Sequence, residues 1–426
     1  MKPTDLRGIL QYIPRYRERT FILAVDGAIV ADENFANILL DVAVLRSLNI
    51  RVVLVHGAAA LIERLGAEQR ISPSDLDGTG VTDAATLALA LTAANRLTHE
   101  ILEGLSANDL RAAATNAVIA HPAGIIRGVD LEFTGRVERV DVELLHTLLA
   151  HGIVPVVPPL GFDGDGRTYR VNSDAAAVAV ANALKAIKII YITTEDGLIA
   201  KGELIRQMKV GDLEELLQKT PGDFLQASVS KAQHAVAACR AGVERVHVIN
   251  GGEDDGLLAE VFSNEGIGTL IHANEYQQIR AAKKTDVPAI QALTRTGVEA
   301  GELVERSRAS IEKTLGDFYV FEIDRNPVGC VALHVDAAER KAELACLYVS
   351  SSHEHQGIGR KLVQFVESRA RELNLAQIFA LSTQAFTYFQ SKAGFIEGTP
   401  DDLSPARRER YHRSGRRSKV LVKRLE

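Results

Sequence analysis

Residues 21–275 repeat one unit: a short, almost unbroken apolar run followed by a stretch of helical character rich in Ala and Leu. The runs fall at 21–25, 51–55, 116–120, 153–157, 188–192 and 246–249. A strand covered on both faces has no solvent face to alternate with, so a continuous apolar run is the mark of a buried parallel sheet. The intervening stretches, such as 84–105 and 175–186, are long enough to form the crossover helices that parallel neighbours require. The pattern predicts a layered α/β domain. It closes at 268–271, and residues 273–277 read as the linker.

From Gln278 the pattern changes to one helix and then strands near 318–323, 328–335 and 343–349. A second, smaller α/β domain over 278–426 is expected, after a first over 1–275. At 426 residues the chain exceeds what a single core usually holds.

Composition removes several function classes. The net charge is −6, and the basic cluster at 407–417 is local, so nucleic acid is not an expected partner. No apolar run approaches bilayer length, so no membrane partner is expected. The start, Met1-Lys2-Pro3-Thr4-Asp5, lacks an apolar signal core, and a cytoplasmic protein is predicted. Cys239, Cys330 and Cys346 are too few and too scattered for a disulfide framework or a zinc site, so no metal is expected. Cys330 and Cys346 read as small apolar core residues. Trp is absent and aromatics are 5%, which leaves Leu, Val, Ile and Ala to fill the cores.

The chemistry is most legible at 344–362. An apolar strand pattern ends at Val349, and Gln356-Gly357-Ile358-Gly359-Arg360 then opens an amphipathic helix with Leu362, Val363, Phe365 and Val366 on its apolar side. Glycine lets a backbone come close to a ligand. The unpaired N–H groups of a helix start favour an anion such as a diphosphate, and Arg360-Lys361 adds positive charge. Downstream, 375–381 reads as a strand, and Phe386-Thr387-Tyr388-Phe389 leads into Ala393-Gly394-Phe395.

These features together resemble the acetyl-CoA loop and the following aromatic helix of the GNAT acyltransferase superfamily, although Glu354 stands where that pattern has Gln or Arg. The resemblance implies acyl transfer to an amine, with acetyl-CoA as cosubstrate and no metal. It places the coenzyme on Cys346, Leu347, Val349, Gln356, Gly357, Gly359 and Arg360. An ammonium must lose its proton to attack a thioester, and Glu343, three residues before Cys346, matches the family's Glu-x-x-Cys base. Main-chain N–H groups of 346–349 would hold the charge that develops on the thioester oxygen. Ser382 matches a serine presented near the sulfur. The tyrosine that many members place four residues before the Gly of Gly-Phe is Gln390 here, with Tyr388 two residues earlier.

The first domain resembles the amino-acid kinase family, whose fold is a three-layer α/β/α sandwich. Residues 21–27 stand where that family has a strand ending in Lys-x-Gly-Gly, and 53–59 where it has His-Gly-Gly-Gly. Val171-Asn172-Ser173-Asp174 matches its Asn-x-Asp element, and Ser230-Lys231 its late lysine. Phosphoryl transfer needs cations and bare backbone around the transferring group. Ala24 stands in place of the first lysine, Asp26 in place of a glycine, and Ala58 and Ala59 put methyl groups in the phosphate loop. A retained fold that no longer phosphorylates is expected.

A degenerate kinase domain followed by a GNAT domain resembles the bacterial N-acetylglutamate synthase family. That resemblance implies L-glutamate as acceptor, L-arginine as effector and a homo-oligomer assembled through the kinase-like domain. It assigns the effector to His247, Glu260 and Gly266, with the segment 9–16 as the N-terminal helix of arginine-sensitive members. A carboxylate such as Glu260 suits a guanidinium or ammonium. Glutamate's two carboxylates call for planar cationic forks. The matching positions are Arg306, Arg416 and Ser418, with Glu305 where relatives carry another arginine. Three alternatives stay open on the sequence: a bifunctional enzyme that also phosphorylates N-acetylglutamate, a non-catalytic arginine sensor, and an acetyltransferase for a different amine.

Overall fold

The apolar runs of the first half become the strands of one eight-stranded sheet: β1 (Thr20–Val25), β2 (Arg51–His56), β3 (Ala112–Ala114), β4 (Val154–Val157), β5 (Lys188–Thr193), β6 (Gln207–Lys209), β7 (Arg245–Asn250) and β8 (Thr269–His272). Their order across the sheet is β6-β8-β7-β5-β1-β2-β4-β3. Pairing is parallel through the centre, where Val25 lies opposite both His56 and Ile192. β8 runs against β7, and β6 pairs in parallel with β8 at that edge. Every residue of β1 and of β5 is buried, because both faces are covered. Phe21, Leu23 and Val25 point into a core with Ile29, Leu39 and Leu97. Ile22 and Ala24 point into the other, with Ala176, Val180 and Ala235. The helices Phe35–Ser47 and Ala84–Ala107 belong to the first layer, and α1 (Ser173–Ala183) and α2 (Gln226–Arg240) to the second. The helix α3 (Gly256–Phe262) follows β7. This is the three-layer α/β/α arrangement.

One run departs from expectation. Residues 118–122 leave the main sheet for a separate four-stranded one, with Gly135–Val140, Leu160–Phe162 and Thr168–Arg170. Burial there fades along the strand, with His121 and Pro122 exposed, so this sheet has a solvent side and one core face. The edge of the main sheet is taken instead by the alanines of β3.

This computed structural model describes residues 12–262, 266–273, 277–299, 301, 303–323, 326–350, 353–354, 357–413 and 418–425. The chain divides into two compact units, Met1–Asn274 and Glu275–Glu426. Of the stretch read as a linker, 274–276 lie outside the described residues, and Gln277 already begins a strand.

The second unit is one seven-stranded sheet: β9 (Gln277–Ala281), β10 (Phe318–Ile323), β11 (Asn326–Asp336), β12 (Lys341–Val349), β13 (Gln377–Ser382), β14 (Ile396–Glu397) and β15 (Lys419–Arg424), ordered β9-β10-β11-β12-β13-β15-β14. Neighbours are antiparallel except β12 and β13. Their crossover is α4 (Ile358–Glu372), whose buried Leu362, Val363, Val366 and Ala370 recur at helical spacing. Further on lie α5 (Phe386–Ala393), ended by left-handed Gly394, and α6 (Pro405–Arg413). No described helix is long and apolar enough to cross a membrane.

Candidate active site and a buried charge cluster

The opening of the second unit comes from a fault in its own sheet. β12 pairs with β13 only from Lys341↔Gln377 to Leu344↔Ala380. Two residues later Cys346 takes φ +53, a left-handed conformation that costs a non-glycine residue. On the other side the β11–β12 register slips by one residue between Cys330 and Ala332. This is a β-bulge, which bends a strand and ends its pairing. Residues 346–349, with Cys346, Leu347 and Val349 among them, therefore run past the last β13 pair. The Cys330 thiol donates to the Cys346 carbonyl (3.4 Å). Burial pushes both thiols up, so neither is a nucleophile at neutral pH.

Next to this opening stands the start of α4. Gly357 is its N-cap at φ +74, with nothing within 4 Å of where a Cβ would point. Its backbone thus faces open space, as an anion site on a helix start requires. At Gly359 a Cβ would lie 2.9 Å from the Tyr388 hydroxyl, so this glycine also makes room for α5. Arg360 is exposed on the first turn, and Gln356 lies outside the described residues. The Tyr388 hydroxyl is buried and accepts or donates no hydrogen bond among the described residues. Burial raises its pKa, and the charge of Arg360 partly offsets this. Gln390, at the position where many GNAT members have tyrosine, is exposed. Ser382, at the end of β13, is buried, and its hydroxyl accepts from the Ala385 N–H (2.9 Å), leaving its proton to donate elsewhere.

One face of β11–β12 gathers the polar groups. His334 and Glu343 are register partners, so their side chains share a face. Glu343 is buried, and Arg407 of α6 grips it with both arms: Nε donates to Oε2 (2.7 Å) and Nη2 to Oε1 (2.9 Å). Arg306 donates from Nη1 to His334 Nε2 (3.2 Å), and His334 Nδ1 meets Asp317 Oδ2 at 2.7 Å. An arginine cannot accept, so Nε2 is the acceptor and Nδ1 carries the proton toward Asp317. The Arg306 charge also reaches the Cys346 thiol. Glu343, Arg306 and the bulge are thus brought together, whereas Glu305 is exposed. Ser418 directly precedes Lys419, the partner of Ser382, and its carbonyl accepts from Tyr411 (2.8 Å). Arg416 lies outside the described residues. Arg407 and His334 had no signal in the sequence beyond a basic cluster and a lone strand histidine.

In the first unit, His247 and Glu260 meet in a buried chain. Lys188, at the start of β5, lies 3.1 Å from His247 Nε2, and His247 Nδ1 lies 2.6 Å from Glu260 Oε1. Glu260 Oε2 accepts from the N–H groups of Ile267 (2.7 Å) and Gly268 (3.2 Å). Burial alone would raise the Glu260 pKa, but His247 and these amides hold it well below the ordinary carboxylate value. Gly266 is left-handed (φ +58), and a Cβ there would come within 2.7 Å of Oε2, so only glycine fits. Lys188 also sits 5.0 Å from the ring centre of Tyr16, which belongs with Tyr12 to the described end of the segment 9–16. A lysine heading an apolar strand was the signal for Lys188, since a buried ammonium requires partners.

The kinase-type elements also converge. Lys231 Nζ donates to Asp26 Oδ1 (2.9 Å) and lies 3.9 Å from Asp174 Oδ1. Burial would lower the Lys231 pKa, but Asp174 and Asp26 outweigh it and hold the ammonium charged. Ala24 is packed in the core and offers no charge.

Comparison with known proteins supports both halves. Residues 19–250 match the model of the amino acid kinase family, and residues 288–395 that of the acetyltransferase (GNAT) family. The amino-acid acetyltransferase of Pseudomonas paraeruginosa is 35% identical over 430 residues, covering 99% of this chain and 98% of its own. That of Actinobacillus pleuropneumoniae is 32% identical, covering 99% of both chains. The crystal structure of N-acetylglutamate synthase from Neisseria gonorrhoeae complexed with coenzyme A and L-arginine superposes with a TM-score of 0.86, at 31% identity and 99% coverage of both chains. The same enzyme complexed with coenzyme A and N-acetyl-glutamate gives 0.63 at 33% identity. This chain belongs to the amino-acid acetyltransferase family, in which an amino-acid kinase fold precedes a GNAT domain.

Proposed function

We propose that the protein is an N-acetylglutamate synthase, which moves acetyl from acetyl-CoA to the α-amine of L-glutamate at the entry to arginine biosynthesis. The observation that carries this reading is the parting of β12 and β13 directly after Glu343 and Leu344, beside the bare backbone of Gly357. It leaves a slot with main-chain donors on one side, an anion-binding helix start at its end and a carboxylate at its root.

In this reading Glu343 takes the proton from the α-ammonium, directly or through one water. Main-chain N–H groups of Cys346, Leu347 and Val349 hold the thioester carbonyl as negative charge builds on it. The Ser382 O–H, whose proton is not committed to Ala385, donates a hydrogen bond to the departing thiolate, which takes its proton from the attacking nitrogen as that nitrogen becomes the amide. Gln356, Gly357, Gly359 and Arg360 hold the diphosphate. Arg306, Arg416 and Ser418 hold the glutamate carboxylates, and the resting Arg407–Glu343 pair shows how a guanidinium fork seats on this face.

L-arginine is the proposed effector, bound where His247, Glu260 and Gly266 converge in the first unit. Asp26 occupies Lys231, so we read this domain as inert toward phosphoryl transfer and as the regulatory and assembly half of a cytoplasmic homo-oligomer. The deciding experiment is free-thiol release from acetyl-CoA with L-glutamate, with and without L-arginine. Glutamate-dependent release suppressed by arginine supports the whole reading. Release indifferent to arginine discards the effector site, and release with other amines but not glutamate discards the acceptor.

A further inference from the structure

We propose that the cavity between α4 and the end of α5 is a seat for the 3′-phosphate of coenzyme A, with Lys392 as its main cation; this rests on the acetyl-CoA reading above. The cavity measures about 270 Å³ and is lined by Arg360, Val363 and Glu367 of α4, Lys392 and Gly394 at the end of α5, and Lys423 of β15.

The charges inside it do not balance. Lys423 Nζ is committed, donating to Glu367 Oε1 (2.5 Å) and to the Ala393 carbonyl (2.8 Å). That contact neutralises Glu367 and also caps the carbonyl end of α5, which would otherwise repel an anion. Arg360 and Lys392 form no ion pair among the described residues, and both are exposed at the cavity. Two positive charges therefore remain, in a recess whose only carboxylate is already paired.

Placement identifies the anion. The Tyr388 hydroxyl against Gly359 fixes α5 beside the phosphate loop. Lys392 lies four residues after Tyr388 on the same helix face, so it stands one turn, about 5.4 Å, further along. Arg360 belongs to both places, as a residue of the loop's first helical turn and of the cavity wall. A ligand with its diphosphate at Gly357 and a second phosphate one ribose away would set that phosphate between Arg360 and Lys392. Coenzyme A has this arrangement of phosphates, and 3′-dephospho-coenzyme A lacks only the last one.

The test compares acetyl-CoA with 3′-dephospho-acetyl-CoA on the full-length protein, by thiol release and by calorimetric binding of the two free coenzymes. The wild type is expected to favour the phosphorylated form. Lys392→Ala, at an exposed position outside the core, should raise KM for acetyl-CoA about fivefold and leave KM for the dephospho form unchanged. Lys392→Glu should widen the loss for acetyl-CoA alone, and raised salt should shrink the wild-type preference. Equal KM for both coenzymes in the wild type, or an equal rise for both in Lys392→Ala, overturns the seat while leaving the acetyltransferase intact. Failure of both coenzymes to bind overturns the acetyl-CoA reading and the seat with it.

Discussion

Glu260→Gln is the most direct test of the buried chain in the first unit. Lys188 offers only N–H donors, so His247 accepts at Nε2 and must carry its proton at Nδ1, directed at Glu260. Three donors then converge on the Glu260 carboxylate: His247, Ile267 and Gly268. A glutamine has one acceptor oxygen and one NH2, so at least one donor faces a donor in a site that is almost fully buried. Removing the charged acceptor of buried hydrogen bonds in this way costs about 3 kcal/mol. For a unit of this size that is a fall of about 6–12 °C in melting temperature. Because the Glu260 pKa is lowered by folding, its contribution is complete above the ordinary carboxylate range and fades as pH falls below it. The gap between wild type and variant should therefore be full at pH 7 and narrow progressively below about pH 4.5. Calorimetric melting of both proteins across that range checks it. An unchanged melting temperature at pH 7, or a gap that widens on acidification, refutes the fixed polarity of the chain.

Other outcomes follow from the second unit. Glu343→Gln should lower kcat at least about 10²-fold with little change in coenzyme affinity, as removal of a general base does; steady-state kinetics at saturating acetyl-CoA decide it. His334→Ala should free Arg306 from its side-chain anchor and raise KM for glutamate about tenfold with kcat nearly constant, while His334→Gln, which restores an acceptor, should recover most of it. Gly359→Ala sets a methyl group 2.9 Å from the Tyr388 hydroxyl and should weaken coenzyme binding severalfold, and Tyr388→Phe in the same protein should relieve it. Cys239, Cys330 and Cys346 all have thiols pushed up by burial, so the native protein should give almost no reaction with a thiol reagent at pH 7.5, read as absorbance before and after denaturation.

The central strands were legible because burial on both faces leaves an uninterrupted apolar run. Among the strands that escaped, two did so for opposite reasons. β3 is three alanines, which favour helix when read locally, and tertiary pairing with β4 overrides that preference. β9 carries Gln277, Gln278 and Arg280 at a sheet edge, a pattern that passes for a linker. The run at 116–120 was visible as a strand, but its membership in a separate sheet is a matter of long-range pairing. The site shows the same division. Gly357, Glu343 and the Gly266 turn sit in contiguous motifs. Arg407 reaches Glu343 from 64 residues away and Lys188 reaches His247 from 59, and no local pattern encodes such a meeting. Gly359 was legible as a glycine of the loop, whereas the space it clears for Tyr388 is a tertiary contact that the sequence does not encode.

The Asp26–Lys231 pair has a consequence for how the first unit responds to its surroundings. A lysine that waits for a phosphate is stabilised only in proportion to the logarithm of that ligand's concentration. Here the counter-ion is part of the chain, held 2.9 Å away at an effective concentration no solute matches. The kinase-fold half of the molecule is thereby expected to be insensitive to nucleotide. Its melting curve with and without ATP should superimpose.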